Sequence, residues 1–153
     1  MALFGLGRKP SKPLRLMAHE AEDVTPIAAL VQDAALRAGD LTYEASGRHF
    51  TVRMNRFCHE AEGTVPLRAP SVLRISCVTG VKMRGFDPRQ TSQPLSLLDI
   101  AVDVVEAPAH VLTLRFAGEA GSLRDVRIEV ECIDVLLLDL AAPRRARSVP
   151  RHM

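Results

Sequence analysis

The chain reads as an α+β domain: an antiparallel β-meander of about seven strands, forming a roll or partly closed barrel, with one N-terminal α-helix packed on it. Three observations lead to that reading. Period-two alternation of apolar and polar residues recurs along most of the chain, as in strands with one wet face. Only one early segment carries the three-and-four spacing of an amphipathic helix. The connections are short and turn-rich, and no second helix exists to make parallel crossovers.

In order, residues 1–12 form a basic leader with Arg8, Lys9 and Lys12, and Leu14, Leu16 and Ala18 alternate as a short strand. The helix follows, with Asp23 or Thr25 as N-cap, Pro26 in its first turn, and Val24, Ile27, Leu30, Val31, Ala34 and Ala35 as one stripe. Gly39 stands where a left-handed C-cap residue belongs. Leu41, Tyr43 and Ala45, then Phe50, Val52 and Met54, make a hairpin that turns at Ser46-Gly47. Residues 60–70, with acids, Gly63, Pro66 and Pro70, read as a loop.

A long strand then runs from Leu73 through Ile75, Cys77, Val81 and Met83, bulged at Thr79-Gly80, with Arg74, Lys82 and Arg84 on its other face. Residues 88–94 are a loop, and Leu98, Ile100, Val102 and Val104 form the next strand. The last hairpin pairs Leu112, Leu114 and Phe116 with Val126, Ile128, Val130 and Cys132 around a turn at residues 118–122. Beyond Cys132 the alternation fails: Ile133, Val135, Leu136, Leu137, Leu138 and Leu140 leave only Asp134 and Asp139 polar, so this end is expected to be covered on both faces. Residues 13–143 thus make a single domain, and 144–153 a basic C-terminal tail.

Bulk composition narrows the function classes. The 153 residues, 47% hydrophobic and 25% charged, suit one globular domain. The net charge of +2 hides an asymmetry: seven of the 20 basic residues and none of the 18 acids lie in the two tails, leaving the body at about −5. Five Phe, one Tyr and no Trp leave few rings for base stacking. Cys58, Cys77 and Cys132, odd in number and widely spaced, argue against a disulfide framework and for a reducing compartment. No run approaches the roughly 20 apolar residues of a membrane-spanning helix, so the expected location is cytoplasmic.

Several constellations carry candidate chemistry. Cys58-His59-Glu60 sets a thiol beside an imidazole, although neighbours on a strand point to opposite faces. His19, Glu20, Glu22 and Asp23, joined by His49 or His59, include ligand types for a metal, but without the spacing of a helical metal motif, and no metal or cofactor is expected. Asp99, Asp103, Glu106, Glu129 and Glu131 share a face with Arg115 and Arg127, which favours cross-strand neutralisation over paired catalytic carboxylates. Arg53, Arg56, Arg74, Lys82, Arg84 and Arg89 form the set of most interest, a basic stripe on neighbouring strands that could receive phosphate or an acidic partner.

Leu30, Gln32, Asp33, Ala34, Arg37, Gly39 and Asp40 around the helix end, Asn55, Arg56 and Phe57 closing a strand, and Phe116, Glu131, Cys132 and Asp139 near the end carry a resemblance. With these residues the chain resembles the bacterial, mainly alphaproteobacterial, domain-of-unknown-function family numbered twenty-nine forty-eight, over roughly residues 14–152. The resemblance implies one intact domain and no established activity, cofactor or catalytic residue. A barrel resembling pleckstrin-homology domains is the alternative fold, although its C-terminal capping helix has no counterpart where the last strand meets the Pro and Arg tail.

The first functional reading is a non-enzymatic protein-binding or scaffolding module, because no spacing supplies a nucleophile, base and orienter or three converging metal ligands. A homodimer is included, since residues 136–140 would be an exposed apolar edge if not central. The alternatives are nucleic-acid or phosphate binding through the basic stripe and Arg-rich tails, and a cysteine-dependent enzyme using Cys58 and His59.

Overall fold

A computed structural model describes residues 12–60, 63 and 65–147. The leader, apart from Lys12, and the tail beyond Arg147 lie outside the described residues. The elements are β1 (Arg15–Ala18), α1 (Ala21–Val31), β2 (Ala35–Arg37), β3 (Leu41–Glu44), β4 (His49–Phe57), β5 (Leu67–Ile75), β6 (Val78–Arg84), β7 (Pro94–Glu106), β8 (Ala109–Ala117), β9 (Leu123–Val130), β10 (Val135–Asp139) and β11 (Arg144–Arg145). Single 3-10 turns sit at Ala38–Asp40 and Glu119–Gly121.

The strands make one open, 11-stranded antiparallel sheet in the order β1-β10-β5-β4-β2-β7-β8-β9-β6, with β3 on β4 and β11 on β5. Antiparallel pairing and, among the described residues, a single α-helix are as the sequence reading expects. The strand number is higher than seven, and the sheet is not closed into a barrel. Nor is it a simple meander: β5 runs into β6, and β9 into β10, across a shared corner that carries the chain between the two ends of the sheet. At that corner Cys77 takes a left-handed φ of 59°, Ser76 N–H donates to Asp134 O, and Glu131 N–H donates to Cys77 O. The long strand expected from Leu73 to Arg84 is therefore two strands in two halves of the sheet. Within β6, Glu129 pairs Gly80 while Val130 pairs Val78, so Thr79 is the extra residue of the expected bulge.

Both halves share one core. Val24, Ile27 and Val31 of α1, Phe50, Val52, Leu73 and Ile75 of β4 and β5, Leu112, Leu114 and Phe116 of β8, and Val126 and Ile128 of β9 are all within it. The helix is shorter than expected. Glu20 is its N-cap, and the chain leaves at Gln32 because Asp33, at φ 69°, takes the left-handed position that Gly39 was expected to fill. Ala34 and Ala35 consequently fall outside the helix, and Ala35 begins β2, pairing Ser96 and Asn55. In the β3–β4 turn, too, the left-handed residue is Arg48, at φ 59°. Its side chain holds the turn to the corner, bonding Glu131 at 2.7 Å and Val78 O at 3.4 Å.

Two further expectations change. Residues 67–70 join β5 instead of the loop, and Leu140 N–H donates to Pro70 O, so the missing proline N–H faces the gap between β10 and β11. β10 lies between β1 and β5, so it is no edge, and self-association by that edge has no basis. It is not fully covered on both faces either: Val135, Leu137 and Asp139 are buried, while Leu136 and Leu138 are only partly buried on the outer face.

Candidate functional site

Register decides what the outer face of β1, β10, β5 and β4 presents. Met17 stands opposite Leu136 and Arg15 opposite Leu138. Leu136 in turn faces Arg74, and Leu138 faces Val72. Val72 faces Arg53, Arg74 faces Thr51, Asn55 faces Pro70, and Phe57 faces Arg68. Directly opposed residues in a sheet share a face. The outer surface is thus a row of Met17, Leu136, Leu138, Val72 and Pro70 bordered by Arg15, Arg53 and Arg74. Met17 is 53% exposed, and Leu140, just beyond β10, is 50% exposed. No acid occupies an outward position on these four strands.

On the inner face of the same strands the charges are buried and neutralised. Arg56 is fully buried; its Nε and Nη2 donate to Asp139 Oδ1 and Oδ2 at 3.1 and 2.8 Å, and Nη1 and Nη2 donate to the two Glu60 oxygens, each at 2.8 Å. Ser71 Oγ donates to Asp139 Oδ1 at 2.6 Å, and Leu14 N–H donates to Oδ2 at 2.9 Å. Burial would raise both carboxyls, yet the Arg56 hydrogen bonds, with those of Ser71 and Leu14 on Asp139, hold them below the usual range. For Arg56, burial is outweighed by the same two carboxylates, so its guanidinium stays charged. This is a structural ion cluster, closed on itself.

Arg68 begins a second polar group. Its Nη1 donates to Asn55 O at 2.9 Å and Asp33 O at 3.3 Å, and its guanidinium lies 5.4 Å from the Phe57 ring centre. Burial lowers its pKa, with Asp33 opposing. Arg144 is its partner across the ladder and Arg145 pairs Leu67, so the start of the expected tail is a strand.

The six residues of the expected basic stripe do not come together. Arg53 and Arg74 share the outer face just described. Arg56 points into the core. Lys82 and Arg84 lie in β6, in the other half of the sheet, where Lys82 stands opposite Arg127 and Arg84 bonds Asp125 at 2.5 Å. Arg89 sits in a loop and pairs with Asp87 at 3.3 Å. Of the expected acidic face only Asp99 is neutralised by Arg115, bonded at 2.5 Å in one line with Asp125 and Arg84 across β7, β8, β9 and β6; Glu131 pairs with Arg48 instead, Arg127 stands opposite Lys82, and Asp103, Glu106 and Glu129 make no ion pair among the described residues.

Cys58 and His59 do not form a catalytic pair. Cys58 is buried, and burial pushes its thiol up to about 11, away from thiolate character. His59 Nε2–H donates to Gln32 O at 2.7 Å and lies 3.4 Å from Asp33 Oδ2. His19 lies 3.7 Å from Asp134, and among the described residues no three metal-ligating side chains gather. Cys77 and Cys132, distant in sequence, meet at the corner; their hydrogen bond, with burial, raises the Cys77 thiol. Sequence reasoning passed over Arg15, Met17, Leu136 and Leu138 as surface residues, because the neighbours that make them a patch are set by the sheet order. Among the described residues no helix is long and apolar enough to cross a membrane.

No curated protein and no solved structure matches the chain. A family model for proteins of unknown function, DUF2948, matches residues 14–152. With nearly its whole length matched, and with the open antiparallel sheet lying within that span, the chain belongs to the DUF2948 family.

Proposed function

We propose that the protein is a protein-binding module that docks an acidic, partly apolar segment of another protein on the outer face of β1, β10, β5 and β4. One observation carries this: a row of exposed Met17 and partly exposed Leu136, Leu138 and Val72 lies between Arg15, Arg53 and Arg74. Covering aliphatic surface returns about 25 cal/mol per Å2 removed from water, and adjacent side chains can be covered together. The bordering arginines supply fork-shaped donors suited to carboxylates and more weakly hydrated than lysines. Among the described residues none of the three makes an ion pair, in contrast to Arg84 and Arg115 on the other half. An acidic partner is complementary to that surface. The apolar row and the 4% aromatic content favour a protein over a single-stranded nucleic acid, which needs stacking platforms.

Capture from cell extract tests the reading with three baits: the wild type, Arg53→Gln with Arg74→Gln, and Leu138→Ser. The expected result is a protein with an acidic segment, retained by the wild type at about 50 mM salt and reduced for the arginine pair, since exposed charge contacts are screened above that. Leu138→Ser loses it at both low and high salt. Recovery of nuclease-sensitive nucleic acid alone, of a second copy of this chain, or of the same proteins on all three baits contradicts the proposal.

A further inference from the structure

We infer that the cleft between β5 and residues 144–147 is a binding site for a small phosphate monoester. The cleft has a volume of about 280 Å3 and is lined by Asn55, Arg68, Pro70 and residues 144–147. Among the described lining residues four side chains are guanidinium groups and none is a carboxylate. The backbone, more than the side chains, fixes them there: Arg144 and Arg145 are laddered to Arg68 and Leu67, and Ala146 N–H donates to Pro66 O at 2.9 Å. Arg144 therefore stands directly across from Arg68, whose charge Asp33 opposes, while Arg144, Arg145 and Arg147 are exposed at the mouth of the cleft. Among the described residues Arg144, Arg145 and Arg147 make no ion pair.

An anion in the cleft can be met by several of these guanidinium groups at once. A phosphate monoester fits better than a single carboxylate, because it carries close to two negative charges near neutral pH and offers three acceptor oxygens to several arginine forks. The volume exceeds what a bare phosphate fills, and Pro70 gives an apolar wall for a small organic group. The site does not depend on the protein-docking reading. Arg53 and Arg74 lie outside its lining, so the two can fail separately.

Calorimetric titration of the full chain at low salt with glycerol phosphate, inorganic phosphate and acetate tests it. Glycerol phosphate binds in a one-to-one complex at least about tenfold more tightly than acetate, and inorganic phosphate binds between them. Arg144→Gln with Arg145→Gln weakens glycerol phosphate by about tenfold or more, while Arg53→Gln with Arg74→Gln leaves it within about twofold. Circular dichroism and thermal melting show both variants folded, and Arg147→Gln provides a second reading outside the short strand. Absence of binding up to about 10 mM, equal affinity for acetate, or equal loss in the two double variants overturns the inference.

Discussion

At the scale of single residues, the fold depends on Arg56 and Asp139 more than on any surface charge. Both side chains are fully out of water and hydrogen-bonded to each other twice. Removing one partner of a buried ion pair leaves the other uncompensated, at a cost of about 3–5 kcal/mol. Asp139→Asn should lose about 3 kcal/mol in urea unfolding at pH 7, somewhat less than the upper figure because Glu60 still holds Arg56. The pH dependence has a definite sign. Asp139 and Glu60 are held below the ordinary carboxylate range, so their contribution is complete above about pH 5 and is lost as pH falls through their lowered values. The gap between wild type and Asp139→Asn should therefore narrow below about pH 4; a gap constant from pH 7 to pH 3 contradicts the cluster.

This cluster was legible in one respect and hidden in another. Arg56 shares the parity of Phe50, Val52 and Met54, and Asp139 that of Val135 and Leu137, so strict alternation already points both inward. Their mutual pairing across β4, β5 and β10 was not legible, because it depends on which strands become neighbours.

At the scale of elements, β10 is the test of register. Leu137 is fully buried and Leu138 only partly buried, although the sequence around them is an unbroken apolar run. Leu137→Ala should cost about 2–5 kcal/mol by leaving a cavity in the core, and Leu138→Ser less than about 1 kcal/mol. Equal losses in a denaturant titration contradict the assigned faces. The run misled as to cover because period alone cannot separate a doubly buried strand from one whose outer face is apolar for another reason. The helix end was misplaced for a different cause. Asp33 adopts the left-handed conformation that Asp tolerates better than most residues, six positions before the glycine that carries the stronger signal. Where alternation was clean and the turn was rich in glycine, as between β8 and β9, the hairpin and its inward residues agree with expectation.

At the scale of the whole molecule, the sequence pattern reached antiparallel pairing and one helix, but not the order of the strands. The decisive feature is the corner at Cys77, where neither glycine nor proline announces a left-handed residue. That corner places Arg74 in one half of the sheet and Lys82 and Arg84 in the other, and so divides the basic face expected of one continuous strand. It also makes the two outer surfaces unlike. One carries the alternating line of Asp99, Arg115, Asp125 and Arg84, satisfied internally; the other carries aliphatic side chains beside Arg15, Arg53 and Arg74, which make no ion pair among the described residues.

Photo-crosslinking reads that difference between the two surfaces directly. A photoreactive amino acid is placed at Leu138 in one chain and at Arg127, outward on the opposite half, in another, and each is irradiated in cell extract. Adducts to a protein through an Asp- and Glu-rich segment, formed from position 138 and not from position 127, are the predicted result. Equal adducts from both positions, or adducts from position 138 only to residues 1–11 or to a second copy of the chain, would contradict a docking face for an acidic partner.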